Sequence, residues 1–188
     1  MCGLSLNDFF RRLNGHQPMV ILQPPPSLSL RPNHQDVRRS GTIMARIVVH
    51  THGKAREKGY SHLINKYAER LEGRGVTLVA HPDRLDHDGY VSKIESASIN
   101  GNLILLDENG ESGTTEWMLK NWKRWRLSDS TTHLAIGPVD GFESGIISKH
   151  ATISLGLLTM TYEMAAVVLL EQLYRASEIE RGSPYHRD

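Results

Sequence analysis

From residue 162 to residue 179 the chain carries neither proline nor glycine, and strong helix formers dominate. Within that run, residues 164–170 (MAAVVLL) are apolar on every side of a helix. Such a helix must be covered all round, by a large core or by a partner subunit. Gly182 stops it and Pro184 keeps it stopped. Ahead of it, residues 151–155 (ATISL) form a short β-branched run punctuated by Gly156. Behind it stands a polar tail with Tyr185, His186 and Arg187.

The chain upstream alternates between the two periodicities. Strands are expected at 46–50, 76–81, 102–106 and 132–136, and helices at 60–71, 90–98 and 114–126. Thr114 or Thr115 is the expected N-cap of the last of these helices. The segment DENGESG after residue 106 reads as a Gly-rich turn. Strands alternating with helices imply an α/β domain with a parallel sheet covered on both faces. Ligands in such sheets bind beyond the carboxyl ends of the strands, which draws interest to the loops at Asp107, Gly137 and Gly156.

A length of 188 residues suits one domain with a sizeable core. Net charge is +1, so any nucleic-acid contact must use local patches. Cys2 is the only cysteine, which excludes an internal disulfide and a cysteine-based zinc site. Residues 165–170, flanked by Glu163 and Glu171, fall far short of the roughly 20 apolar residues a membrane span needs, so the chain is expected to be soluble and cytoplasmic. Residues 1–43 differ from the rest: PPPSLSLRP and VRRSG bring proline, serine and arginine with almost no acids. They read as disorder, or as an extension ahead of a true start at Met44, in preference to an organelle transit peptide.

Two smaller features have ordinary readings beside functional ones. Trp117, Trp122 and Trp125 share a helix with Lys120, Lys123, Arg124 and Arg126, a mixture that can stack on RNA. A helix that buries its aromatics and solvates its cations is the preferred reading. His50 and His52 lie on one side of a strand, but with no third ligand near them in sequence no metal site is expected. Lys54, Arg56 and Lys58 form a basic loop suited to RNA.

The segments SLGLLTMT, LLEQLYRA and GSPYHRD resemble the C-terminal signature of the ribosomal RNA large subunit methyltransferase H family. These are SPOUT-class enzymes acting on N3 of a pseudouridine in 23S rRNA. The resemblance runs over residues 44–188. It implies a SPOUT-like fold with a C-terminal trefoil knot, a rare exception to unknotted topology. It also implies S-adenosyl-L-methionine as cofactor, a homodimer whose sites are each completed by the other subunit's tail, and assembled large-subunit rRNA as substrate. Carried over by position, the cofactor residues are Leu106, Gly137, Pro138, Gly156, Leu157, Leu158, Thr159, Met160 and Thr161. Taken alone, those glycine loops are ordinary turns. A Rossmann G-x-G-x-x-G is absent, and Gly53-Lys54 lacks the upstream glycine of a P-loop.

The same resemblance assigns Arg175, Tyr185, His186 and Arg187 to the substrate side. Arg175 suits a phosphate or a base carbonyl, Tyr185 suits stacking, and His186 has the ordinary pKa of a proton acceptor. An ordinary alternative pairs Arg175 with Glu171 or Glu178 along the helix. The chain departs from the family in four places: Pro138 replaces the second glycine, Thr161 a proline, Tyr162 a histidine and Ala166 an arginine. Pro138 removes a backbone donor, and Tyr162 is a weaker base than histidine at neutral pH. Two other functions compete: a diverged ribosome-binding protein without turnover, and a methyltransferase for another RNA.

Overall fold

The computed structural model describes residues 47–185. The expectations for residues 1–43, and for His186 and Arg187, therefore lie outside the described residues. Five strands form one sheet: β1 (Ile47–His52), β2 (Val76–His81), β3 (Asn102–Glu111), β4 (Thr132–Ile136) and β5 (Ala151–Ile153). Their order is β2-β1-β4-β3-β5, and every pairing is parallel. The helices are α1 (Lys58–Glu72), α2 (His87–Ala97), α3 (Thr115–Leu127), the single turn α4 (Ser144–Ile147) and α5 (Tyr162–Glu180).

Alternation along the strands sorts the two layers. Ile47, Val49, Ile104, Leu134 and Ile136 face one side, where α1, α3 and α5 pack with Leu71, Trp122, Trp125, Leu169 and Leu173. Leu105 and Ala135 face the other side and meet Tyr90, Val91 and Ile94 of α2. The tryptophan helix thus buries Trp122 and Trp125 and leaves Lys120, Lys123 and Arg124 exposed, as the preferred reading has it.

One expectation needs correction. The glycine-rich stretch after residue 106 is not a turn, because β3 continues through Glu111 and meets β5 again, with a register shift between Leu106 and Glu111. Gly110 makes that crossing possible: a Cβ there would stand 2.6 Å from the Ile153 carbonyl carbon. Thr114 is the N-cap of α3, as expected, although its side chain makes no capping bond. Within one chain the apolar run in α5 is covered in part: Ala166, Leu169 and Leu170 are buried, while Met164 is 37% exposed and Val167 and Val168 are half-buried.

The ends of α5 are well specified. The Thr161 side chain accepts a hydrogen bond from the Met164 N–H, the N-cap arrangement. At the far end Gly182 takes φ +68, its N–H donates to Ile179 O, and the Ser183 N–H donates to Glu178 O. Those two bonds are the Schellman closure that a glycine after a helix permits.

A histidine row crosses the α2 face of the sheet. His50 is 1% exposed; its Nδ1 lies 3.0 Å from His81 Nε2 and its Nε2 lies 3.0 Å from His133 Nδ1. So His50 does have near histidines, brought in by strand pairing from 31 and 83 residues away. The three rings form a line rather than a converging set, and among the described residues no group of three His, Cys, Asp or Glu is arranged to hold a metal. In a neutral row each ring accepts from one neighbour and donates to the next. Burial, with the neighbouring His133 and His81, pushes His50 down to about 3.

A depressed histidine is a cost in acid. Below about pH 6.5 the unfolded chain takes up a proton that the folded chain refuses, so stability falls with pH until the folded pKa is reached. Between pH 6.5 and pH 5 this residue is expected to remove about 2 kcal/mol, at 1.36 kcal/mol per pH unit. Urea midpoints measured over that range should fall, and His50→Leu should shallow the slope; an unchanged slope contradicts the assignment.

Candidate cofactor cavity and tail cluster

A cavity of about 340 Å³ opens at the carboxyl ends of β3, β4 and β5. That lies within the range typical of small-molecule sites. Leu106 and Ile136, the last residues of the β3–β4 pairing, and Ile153 of β5 give it an apolar floor. Pro138, Val139 and Phe142 form one wall, and Leu155, Leu158 and Met160 another. Asp107, Glu108 and Asp140 bring carboxylates to its lining.

Local hydrogen bonds set the loops. The Pro138 carbonyl accepts from the Gly141 N–H at 2.9 Å, closing a four-residue turn with Gly141 at φ +77. The Ser154 hydroxyl donates to Gly156 O at 2.6 Å and accepts from the Gly156 N–H at 3.1 Å. Gly156 sits at φ +153, a conformation side chains rarely adopt. The Thr159 hydroxyl donates to Glu108 Oε2 at 2.7 Å and so ties this loop to the extension of β3. Beneath the cavity, the Tyr90 hydroxyl donates to Ile136 O at 2.8 Å, and its ring stacks on Phe142. Burial pushes the Tyr90 phenol up, so it stays a donor. Tyr162, the first residue of α5, also lines the cavity, and burial pushes its phenol up as well. It offers a hydrogen bond rather than a base.

Of the cofactor residues expected from sequence, the cavity brings together Leu106, Gly137, Pro138, Gly156, Leu158, Thr159 and Met160. Leu157 is 91% exposed and outside the lining, and Thr161 is occupied as the α5 cap. Sequence reasoning passed over Glu108, Asp140, Ser154 and Phe142. No local motif marks them, because the irregular β3–β5 crossing and the tight turn after β4 are what bring them in.

Arg175 and Tyr185 stand elsewhere. Arg175 is thirteen residues beyond Tyr162 on α5, about 20 Å at 1.5 Å per residue. Its Nη2 donates to Glu171 Oε1 at 2.5 Å, the helical pairing that was the ordinary alternative. The Tyr185 hydroxyl donates to the same oxygen at 3.1 Å, and the Arg175 guanidinium lies 5.2 Å from the Tyr185 ring centroid. Glu171 therefore anchors both, a role the sequence reading did not give it. Tyr174 packs edge-on against Tyr185, and Arg70 of α1 lies 5.3 Å from the Tyr174 ring centroid. Below this cluster Arg74 pairs with Glu178 at 2.6 Å. The Ser183 hydrogen bond, with Arg74, holds the Glu178 carboxyl below the ordinary range.

A parallel α/β sheet with a cavity between its β3, β4 and β5 loops is an architecture that takes a small molecule at the strand ends. The family model described as Predicted SPOUT methyltransferase matches residues 45–186, and the chain belongs to that family and is a methyltransferase. Among curated proteins it is similar to Ribosomal RNA large subunit methyltransferase H of Prochlorococcus marinus (strain MIT 9515), 33% identical over 146 residues that cover 76% of this chain and 96% of that protein. The protein of the same name from Anaeromyxobacter sp. (strain Fw109-5) is 34% identical over 146 residues, covering 72% of this chain and 95% of that one.

The Gly156 backbone gives a direct check on the loop. Gly156→Ala is expected to lose about 1–3 kcal/mol, although the added methyl would meet only Met160 Cε, at 3.8 Å. Chemical denaturation measures it; a neutral substitution would show that φ +153 is not required.

Proposed function

We propose that this methyltransferase uses S-adenosyl-L-methionine to methylate N3 of a pseudouridine in large-subunit rRNA on the assembled ribosome. The observation that carries this reading is the cavity itself: seven of the nine residues matched to the family's cofactor segments line one apolar-floored space. The cofactor's chemistry suits its lining. Adenine calls for apolar walls, which Leu106, Leu158 and Met160 offer, and the cofactor's cationic groups call for acids, which Asp107 and Asp140 offer. When bound, S-adenosyl-L-methionine supplies an electrophilic methyl group. The names carried by the relatives support rRNA as the substrate.

The imide nitrogen of the base must shed its proton as it takes the methyl, so the chain has to orient the base, stabilise developing negative charge and accept that proton. Arg175 holds a phosphate or a base carbonyl, Tyr185 stacks, and the tail residues His186 and Arg187 complete the set, with His186 as proton acceptor. Within one chain the Arg175–Tyr185 cluster is too far along α5 to serve the cavity beside Tyr162. A homodimer resolves this, the tail of one copy serving the cavity of the other. Exposed Leu157, Leu158, Val139 and Met164 around the cavity, with the half-buried Val167 and Val168, supply apolar surface for that contact. In this reading the segment from β4 to α5 is the knotted part of the fold.

Calorimetric titration of S-adenosyl-L-methionine into the purified protein tests the reading, with micromolar binding expected. Methyl transfer to unmodified large ribosomal subunits should then fall about a hundredfold in Arg175→Ala, with cofactor affinity retained. A folded protein that binds no cofactor would overturn the proposal and leave a ribosome-binding role.

A further inference from the structure

The loop after β1 borders a second cavity, of about 280 Å³, at the carboxyl ends of β1 and β2. Tyr162, at the head of α5, lines both cavities and divides them. The loop itself is pinned from two sides. Glu163, buried on α5, accepts from the backbone N–H groups of Arg56 at 2.5 Å and Glu57 at 3.3 Å. Asp83 accepts from the Lys54 N–H at 3.2 Å and occupies the space where a Cβ on Gly53 would stand. These bonds use backbone groups, and the Lys54 and Arg56 residues they hold are exposed.

From this fixed loop the cations continue along α1. Residues 54–68 hold Lys54, Arg56, Lys58 and Lys66 against one acid, Glu57, in a chain whose net charge is only +1. All four cations are exposed. Lys58, His62 and Lys66 follow at four-residue spacing, so they share one face of the helix and rise about 6 Å per step. Among the described residues, none of the four cations has a carboxylate within ion-pair distance. Acids return only in the last turn of α1, as Glu69 and Glu72. Helix stability does not account for the row. The start of a helix carries the positive end of its dipole, which favours acids and disfavours cations. Yet the first turn of α1 holds no acid, Glu57 makes no side-chain cap, and Lys58 is the first helical residue.

A row of unpaired cations leading away from the rim of the sheet suits an extended polyanion, whose backbone such a row can follow. The opposite side of the rim has the other sign. Asp107, Glu108 and Glu111 stand at the end of β3, and Glu116 in the first turn of α3 pairs with Lys120 at 3.3 Å. Resting on the rRNA reading above, we propose that Lys54, Arg56, Lys58 and Lys66 form the surface on which the rRNA phosphate backbone docks. These cations bind phosphates away from the reacting base and take no part in the methyl transfer itself. The carboxylates at β3 repel the backbone, so the strand approaches the rim from the α1 side.

Arg56→Gln, Lys58→Gln and Lys66→Gln, combined in the full chain, test the surface. A control removes the same charge elsewhere, through Lys93→Gln, Lys120→Gln and Lys123→Gln, all at exposed residues. Affinity for unmodified large ribosomal subunits is measured across potassium chloride concentrations, beside cofactor affinity by calorimetry. The α1 variant is expected to bind subunits about tenfold or more weakly at roughly 0.1 M salt, and to flatten the log–log salt slope by about two to three. Its cofactor affinity, and its single-turnover rate at saturating subunits, should stay within about twofold of the parent. Lys58→Arg with Lys66→Arg, which keeps the charge, should bind as the parent does. An α1 variant with parental affinity, or a control that loses as much, would overturn the docking surface and leave the methyltransferase reading intact. A parent chain that binds cofactor but no large subunit would instead sink the rRNA reading, and this surface with it.

Discussion

Parallel strands all point one way, so their carboxyl ends collect on a single rim of the sheet. Everything chemically interesting in this chain hangs on that constraint. Leu106, Ile136 and Ile153 end their pairings at that rim and floor the first cavity, while Thr51 and Ala80 reach the same rim and line the second. Below the rim lies a dry layer on each face, one of aliphatic and tryptophan side chains, the other built around Tyr90. The loops are held to this platform by short local bonds, among them Tyr90 to Ile136, Ser154 to Gly156 and Thr159 to Glu108.

Helix α5 adds a second role to the one its apolar sequence announces. Ala166, Leu169, Leu170 and Leu173 seat it against the sheet between α1 and α3. Its first turn divides the two cavities through Tyr162, and its buried Glu163 fastens the loop after β1. Its last turns present Arg175 and Glu171 to the tail. The first cavity and the tail cluster thus stand toward opposite ends of one helix, about 20 Å apart at 1.5 Å per residue. In the proposed dimer a two-fold partner reunites them.

Much of this was legible in the residues. Strands β2 and β4 stand where their β-branched and apolar runs put them, at Val76–His81 and Thr132–Ile136. The α5 stop at Gly182 follows from local chemistry alone. What escaped is what depends on pairing between distant segments. Asp107 to Glu111 is polar and glycine-containing, so it looks like a turn until β5 is beside it. His50, His81 and His133 become neighbours only through strand register, which no single-sequence spacing encodes. The single turn α4 is too short to leave a periodic signal. The loops around the first cavity drew interest through resemblance rather than composition, since glycine loops after strands are common. Glu171 stood with Glu178 as an alternative partner for Arg175, and its second bond, to Tyr185, is set by where the tail folds back.

Subunit complementation tests the shared site most directly. Two inactive variants, Gly137→Val in the cofactor cavity and Arg175→Ala in the tail cluster, are unfolded together and refolded at equal ratio. If each site joins one copy's cavity to the other copy's tail, half of the dimers are mixed and each holds one intact site. About a quarter of the parental methyl transfer should then return. If every site were built within one chain, the mixture would stay inactive, and the composite arrangement would be contradicted.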